Sequence, residues 1–83
     1  MYYVYILRSK KNEDRVYIGV TNNIERRLKE HAAAKGKSYT VRHAPWELET
    51  YIAFKHQKVA EEFELYLKSH SGRAFLRRRL MAA

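Results

Sequence analysis

The chain has no cysteine, a single proline and three glycines. Without cysteine there is no disulfide framework and no thiolate metal site, a composition that fits a reducing compartment. No apolar run approaches the length of about 18 residues that a membrane-spanning helix needs. The apolar opening at Tyr2–Leu7 stops at Arg8, too short for a signal-peptide core. The expectation is a cytoplasmic protein with no membrane partner. No repeat, low-complexity tract or Gly/Ser linker divides the chain, so residues 1–83 read as one small domain. Acidic residues are also scarce. Nine Asp and Glu face seventeen Lys and Arg, a net charge of +8. So basic a domain attracts polyanions, nucleic acid before anionic membrane. A basic protein of ribosomal type, or one that binds other proteins, is the bland alternative.

What is present starts with tyrosine. Tyr2–Leu7 alternates Val4 and Ile6 against Tyr3, Tyr5 and Leu7, and Arg15–Val20 alternates Val16, Ile18 and Val20 against Tyr17 and Gly19. Two such runs around a polar segment predict a β-hairpin. Val4, Ile6, Val16 and Ile18 fill one face, and Tyr3, Tyr5 and Tyr17 share the other. With Tyr5 opposite Tyr17 the ladder closes on Lys11. Asn22 with Glu25 three residues on resembles a capping box, which starts a helix with Ile24 and Leu28 on its apolar stripe. Residues 35–45 read as a long loop punctuated by Gly36 and Pro45. "WELETYIAF" is the third strand. "KVAEEFELYLKSH" is a second helix carrying Val59, Phe63, Tyr66 and Leu67, broken at Ser71 or Gly72. "RAFLRRRL" is a short third helix packing Phe75, Leu76 and Leu80. The order ββαβα plus a short C-terminal helix predicts an α+β fold, a small three-stranded antiparallel or mixed sheet flanked by helices.

Arg27 and His31 are four apart and share a helix face with Leu28. Taken alone they read as a solvated arginine and a helix-end histidine favoured by the dipole. They gain meaning if Tyr5, Tyr17 and a carboxylate converge on the same spot. Glu64 lies between Ala60, Phe63 and Leu67, at the edge of the core face. One carboxylate in a basic domain suits Mg²⁺, which often takes one or two carboxylates plus phosphate and water. No His/Cys/Asp cluster suggests zinc, no glycine-rich phosphate loop is present, and no serine has a triad context. The arginines at 77–79 read as a solvated helix face or a second phosphate contact.

"VYI" at 4–6, "YIG" at 17–19, "RRLKEH" at 26–31 and "EFELYLK" at 62–68 together resemble the GIY-YIG nuclease family over essentially the whole chain. "SYTVRHAPWELE" and "ELYLKSHSGRAFL" resemble its small stand-alone branch, relatives of the nuclease module of the bacterial excinuclease. The sequence departs from the family at Val4, where the first motif usually has glycine, and in having no asparagine after Asn23.

The resemblance implies a GIY-YIG-type endonuclease that hydrolyses DNA phosphodiester bonds with one Mg²⁺ or Mn²⁺ ion. Tyr5 and Tyr17 would flank the attacking water, one of them as base, with nearby cations lowering the phenol pKa. Arg27 would clamp the phosphate, His31 would orient a tyrosine or shuttle its proton, and Glu64 would hold the metal. Gly19 would permit close approach of backbone or substrate, and Tyr39, Thr40 and Arg42 would contact substrate. Shape or structure is the expected basis of recognition rather than base sequence, with repair or recombination proteins as targeting partners. The alternative is a nucleic-acid-binding module with vestigial catalysis that acts through partners.

Overall fold

The computed structural model describes residues 1–33 and 39–81. Strands β1 (Tyr2–Ser9) and β2 (Val16–Thr21) are followed by helix α1 (Ile24–Ala33) and a one-turn helix α2 (Tyr39–Arg42). Strand β3 (Trp46–Phe54), helix α3 (Gln57–Lys68) and helix α4 (His70–Phe75) come next, and a π-helical turn over Leu76–Leu80 completes the order. The sheet runs β2-β1-β3 and both pairings are antiparallel, so the first strand of the chain is the central one. This is the expected α+β architecture, and of the two sheet types left open it is the antiparallel one.

The parity read from the hairpin holds, but its register is two residues away from the expectation. Tyr5 pairs with Gly19, and Tyr17 pairs with Leu7. A side chain explains the longer connection. Ser9, 1% exposed, accepts hydrogen bonds from the Lys11 and Asn12 amides and donates to the His43 carbonyl. The loop therefore winds round a buried hydroxyl instead of closing tightly at Lys11.

Each face of the sheet has its own cover. Val4, Ile6 and Ile18 form a core with Ala60, Leu67, Leu76 and Met81, joined by Val16, Val20, Phe54 and Phe63. Helix α3, α4 and the π-helical turn cover this face. Tyr5, Leu7 and Tyr17 point the other way, toward α1, whose one buried side chain is His31. An irregularity between Ile6 and Leu7 shifts the β3 pairing, so that Leu7 meets Leu48 whereas Ile6 meets Thr50. This extra residue at Glu49 puts Leu48 on the tyrosine face while Ile52 and Phe54 stay on the core face.

Other details differ from the sequence reading. The α1 cap is Asn23, whose side chain accepts from the Arg26 amide at 3.0 Å, while Asn22 accepts from the Arg26 guanidinium. Residues 39–42 of the expected loop are helical, and 35–38, with Gly36, lie outside the described residues. On α3 the buried positions are Ala60 and Leu67, whereas Val59 and Tyr66 are exposed. Ala60, placed by its spacing beside Phe63 and Leu67, is fully buried and lets the helix sit close to the sheet. The break after α3 is at Ser69, not Ser71 or Gly72. Ser69 closes α3 and caps α4 by accepting from the Gly72 amide at 3.1 Å. Gly72 instead lies against the α3 backbone, where a Cβ would stand 1.6 Å from the Tyr66 carbonyl oxygen. In the last helix Leu76 is buried as expected, but Phe75 is 37% exposed.

Candidate active site

The candidate site is built on the tyrosine face. Period-two alternation puts Tyr5 and Tyr17 on one side of adjacent strands, and their rings stack with centroids 6.1 Å apart. Helix α1 lies over them. Its i, i+4 spacing delivers Arg27 and His31 together. Arg27 Nε donates to the Tyr5 hydroxyl at 3.1 Å, and the same hydroxyl lies 3.0 Å from His31 Nε2. The His31 ring stands edge-on to Tyr17 at 4.7 Å and to Tyr5 at 5.9 Å. Tyr5, Tyr17, Arg27 and His31 are therefore one cluster.

Electrostatics fix the charge states within it. Burial pushes the His31 pKa below its usual value and the Arg27 charge pushes the same way, with Glu30 opposing. His31 is thus neutral at pH 7. The Tyr5 hydroxyl accepts from Arg27 and shares a hydrogen bond with His31 Nε2 whose direction follows the imidazole tautomer. Tyr5 is thus the hub that joins Arg27 to His31. The expectation that nearby cations lower the tyrosine pKa fails at Tyr5. Burial raises it, and the hydrogen bond and charge of Arg27 offset only part of that cost. Tyr5 is 1% exposed and stays a phenol. Arg27 is held still more firmly as a cation by Tyr5 and by Glu30, whose carboxylate accepts from Nη1 at 3.0 Å. Its side chain remains 37% exposed, enough to meet a phosphate.

Gly19 makes room for Tyr5. A Cβ there would lie 2.4 Å from the Tyr5 hydroxyl and 2.6 Å from its Cζ. In this structure the Tyr5 ring makes a close approach to Gly19.

Two hollows flank the cluster along the outer edge of β2. One, of about 480 Å³, is lined by Tyr17 and Tyr39 together with Arg15, Lys68, Arg73 and Arg77. The other, of about 360 Å³, holds Arg27 with Glu30, Gln57 and Glu61. Glu64 lies between them on α3, on the helix side that runs through Gln57, Glu61 and Lys68. Its side chain is 21% exposed and ion-pairs with Lys68 at 3.0 Å. Among the described residues no cluster of three or more His, Cys, Asp or Glu could hold a metal. The donor chemistry at Glu64 fits a hard divalent ion that brings phosphate and water as its other ligands, once Lys68 yields the carboxylate.

Of the expected substrate contacts, Tyr39 lines the larger hollow and donates to the Val16 carbonyl at 3.0 Å. Thr40 presents its carbonyl to Trp46 Nε1 at 2.6 Å, and Arg42 is exposed at the end of α2. Sequence reasoning missed Lys68, Arg73, Trp46, His43 and Glu30. Lys68 and Glu30 had a signal, being i+4 from Glu64 and i+3 from Arg27. His43 is i+4 from Tyr39 and meets it at 4.7 Å across one helical turn. Trp46 had no such signal; it meets Tyr39 only through the fold, at 5.8 Å, and extends the aromatic wall from Tyr17.

Comparison with known proteins gives the same direction. The model of the GIY-YIG catalytic domain family matches residues 1–78. A UPF0213 protein of Clostridium perfringens is 38% identical over 68 residues, which span 82% of this chain and 71% of that protein. One from Halalkalibacterium halodurans is 38% identical over 72 residues, 87% of this chain and 74% of its own length. The solution NMR structure of a UPF0213 protein from Bacillus halodurans superposes with a TM-score of 0.54 at 35% identity, covering 93% of this chain and 83% of that one.

Proposed function

Because the chain belongs to the GIY-YIG catalytic domain family, we propose that it is a divalent-metal-dependent endonuclease that hydrolyses DNA phosphodiester bonds. The observation that carries this reading is the Arg27–Tyr5–His31 hydrogen-bond chain packed against Tyr17, beside a hollow lined by four cations. Such hydrolysis needs a positioned water, a proton acceptor, positive charge on the phosphate and help for the leaving oxygen.

The two tyrosines divide the work. Tyr5 is buried and hydrogen-bonded to both Arg27 and His31, so it is the positioning residue that aims them. Tyr17 lines the open hollow and is the group that meets the attacking water. Arg27 clamps the phosphate with the nitrogens it does not spend on Tyr5 and Glu30. Arg15, Lys68, Arg73 and Arg77 draw the backbone into the hollow, and Tyr39 forms its opposite wall. Glu64 would hold the divalent ion, whose chemistry is to neutralise charge on the phosphate oxygens. Lys68 occupies that carboxylate until the ion arrives.

Cations of this kind grip phosphates without reading bases, which supports recognition of DNA shape or structure rather than sequence. A nicking assay on branched, flapped and linear DNA with Mg²⁺, Mn²⁺ or EDTA tests the reading. Cleavage with either metal, none in EDTA, and a loss of about 10²–10⁴ in single-turnover rate for Tyr17→Phe are expected. Binding without cleavage on every substrate and metal would leave only the nucleic-acid-binding module.

A further inference from the structure

A third hollow opens on the tyrosine face. It measures about 430 Å³ and is lined by Tyr3, Tyr51, Asn22, Asn23, Ile24 and Glu25. Tyr51 pairs with Tyr5 across the β1–β3 ladder, so its ring stands on the same side as Tyr5 and Tyr17. It is 50% exposed, and the Tyr3 ring props it edge-on at 5.7 Å and 74°. We propose that Tyr3 and Tyr51 form a nucleobase-stacking subsite that takes an unpaired base of the strand engaged at Tyr17. This rests on the reading of the chain as a DNA-cleaving enzyme.

Charge separates this hollow from the first. The protein carries +8, yet the lining contains no lysine or arginine and includes a carboxylate. The lining thus lacks the cations that grip phosphates in the first hollow, a lack that costs a neutral base nothing. The aromatic pair supplies a flat apolar face on which any base can stack. The polar lining suits a base edge. The Asn22 side-chain carbonyl already accepts from Arg26 at 3.0 Å, which leaves its amide NH₂ to donate to a ring nitrogen or carbonyl. Glu25 can accept from an exocyclic amine. Two strand spacings separate β3 from β2, roughly 10 Å. A single strand gripped by its phosphates near Tyr17 brings a neighbouring base within that reach. Duplex DNA does not offer an unstacked base, so the subsite favours flaps, gaps and frayed ends.

Fluorescence anisotropy in EDTA tests this without cleavage, using a labelled short single-stranded DNA and an abasic backbone of equal length. Wild type should bind the base-bearing strand more tightly. Tyr51→Ala should weaken that binding about 5- to 150-fold, the range that one stacked base contributes, and should bind the abasic strand as wild type does. Tyr51→Phe keeps the ring and should bind as wild type. Circular dichroism checks that the variants are folded. Equal losses on both strands, or no loss on either, overturn the subsite and leave the tyrosines to a protein partner or to packing. If wild type cuts nothing with metal but base-dependent binding through Tyr51 persists, the subsite stands and the nuclease reading falls. If wild type cuts DNA and Tyr51→Ala is indifferent, the reverse holds.

Discussion

Gly19→Ala isolates the geometry on which the site depends. Ordinary contact begins at 3.4 Å, whereas the new methyl would stand 2.4 Å from the Tyr5 hydroxyl. The ring must withdraw by about 1.0 Å, the difference between those two distances. Tyr5 has nowhere to go, being 1% exposed and bracketed by Tyr17 and His31. Overpacking of this kind costs about 1–3 kcal/mol. Replacing glycine restricts the unfolded chain and returns roughly 0.4–1 kcal/mol, so the clash wins. The displacement is also a third of the length of the hydrogen bonds to Arg27 and His31, too large for both to survive. Misplacement by about 1 Å can lower a rate by 10². Thermal melts and single-turnover cleavage with Mg²⁺ read the two effects. Tyr5→Phe removes the atom that meets the methyl first, so Gly19→Ala should cost less stability in that background than in wild type. A Gly19→Ala protein that melts and cuts like wild type would refute the packing of Tyr5 over Gly19.

Glu64→Gln should abolish metal-dependent cleavage while DNA binding, measured in EDTA, stays intact or tightens, because Lys68 loses its carboxylate and turns to phosphate. Cleavage at the wild-type rate would remove Glu64 from the metal site. Arg27→Ala should lose about 10²–10³ in single-turnover rate, as when one transition-state donor is deleted. Arg79→Ala, on the exposed final turn, should mainly lower the salt slope of binding by about one, and equal rate losses would sink the distinction. Stability should fall in acid through His31. Its folded pKa is depressed, so its contribution is complete above the unfolded value of about 6.5 and is lost as pH drops through the folded one. Tyr5 acts at the other limit. Its raised pKa makes stability decline as pH climbs above about 10. His43 is shifted downward too, by desolvation and by Arg15, Arg42 and Lys11, and adds to the acid slope. The His31 share is the difference between wild type and His31→Gln in melts across pH, and parallel curves would show that His31 does not titrate on unfolding.

The face that each tyrosine occupies was legible in the sequence because side-chain alternation is a local property of a strand. The register was not, because it depends on Ser9 reaching the His43 carbonyl from far along the chain. Arg27 and His31 were legible as a pair because helical spacing is equally local. Their partner was suggested by the family resemblance, but the charge states within the cluster follow from burial, which spacing does not reveal. The same omission misjudged Tyr5. Counting nearby cations predicts a lowered pKa, while desolvation at full burial is the larger effect. Gly19 was noticed for the freedom of close approach, but its contact with Tyr5 depends on the strand register and was not legible. The α1 cap fell on the second of two adjacent asparagines, a choice that propensity cannot make.

Placing β1 at the centre of the sheet has a consequence for synthesis. As the chain leaves the ribosome β1 can pair at once with β2, but a two-stranded hairpin alone is marginal in water. Its other neighbour, β3, ends at Phe54, and the core face stays bare until α3 follows with Ala60 and Leu67. Pairing across that sequence separation is slow compared with helix formation. The nascent chain therefore carries Tyr5, Tyr17, Arg27 and His31 outside the ribosome well before anything fixes their positions. Catalytic competence should appear in one step with the docking of α3, and not gradually as the motifs emerge.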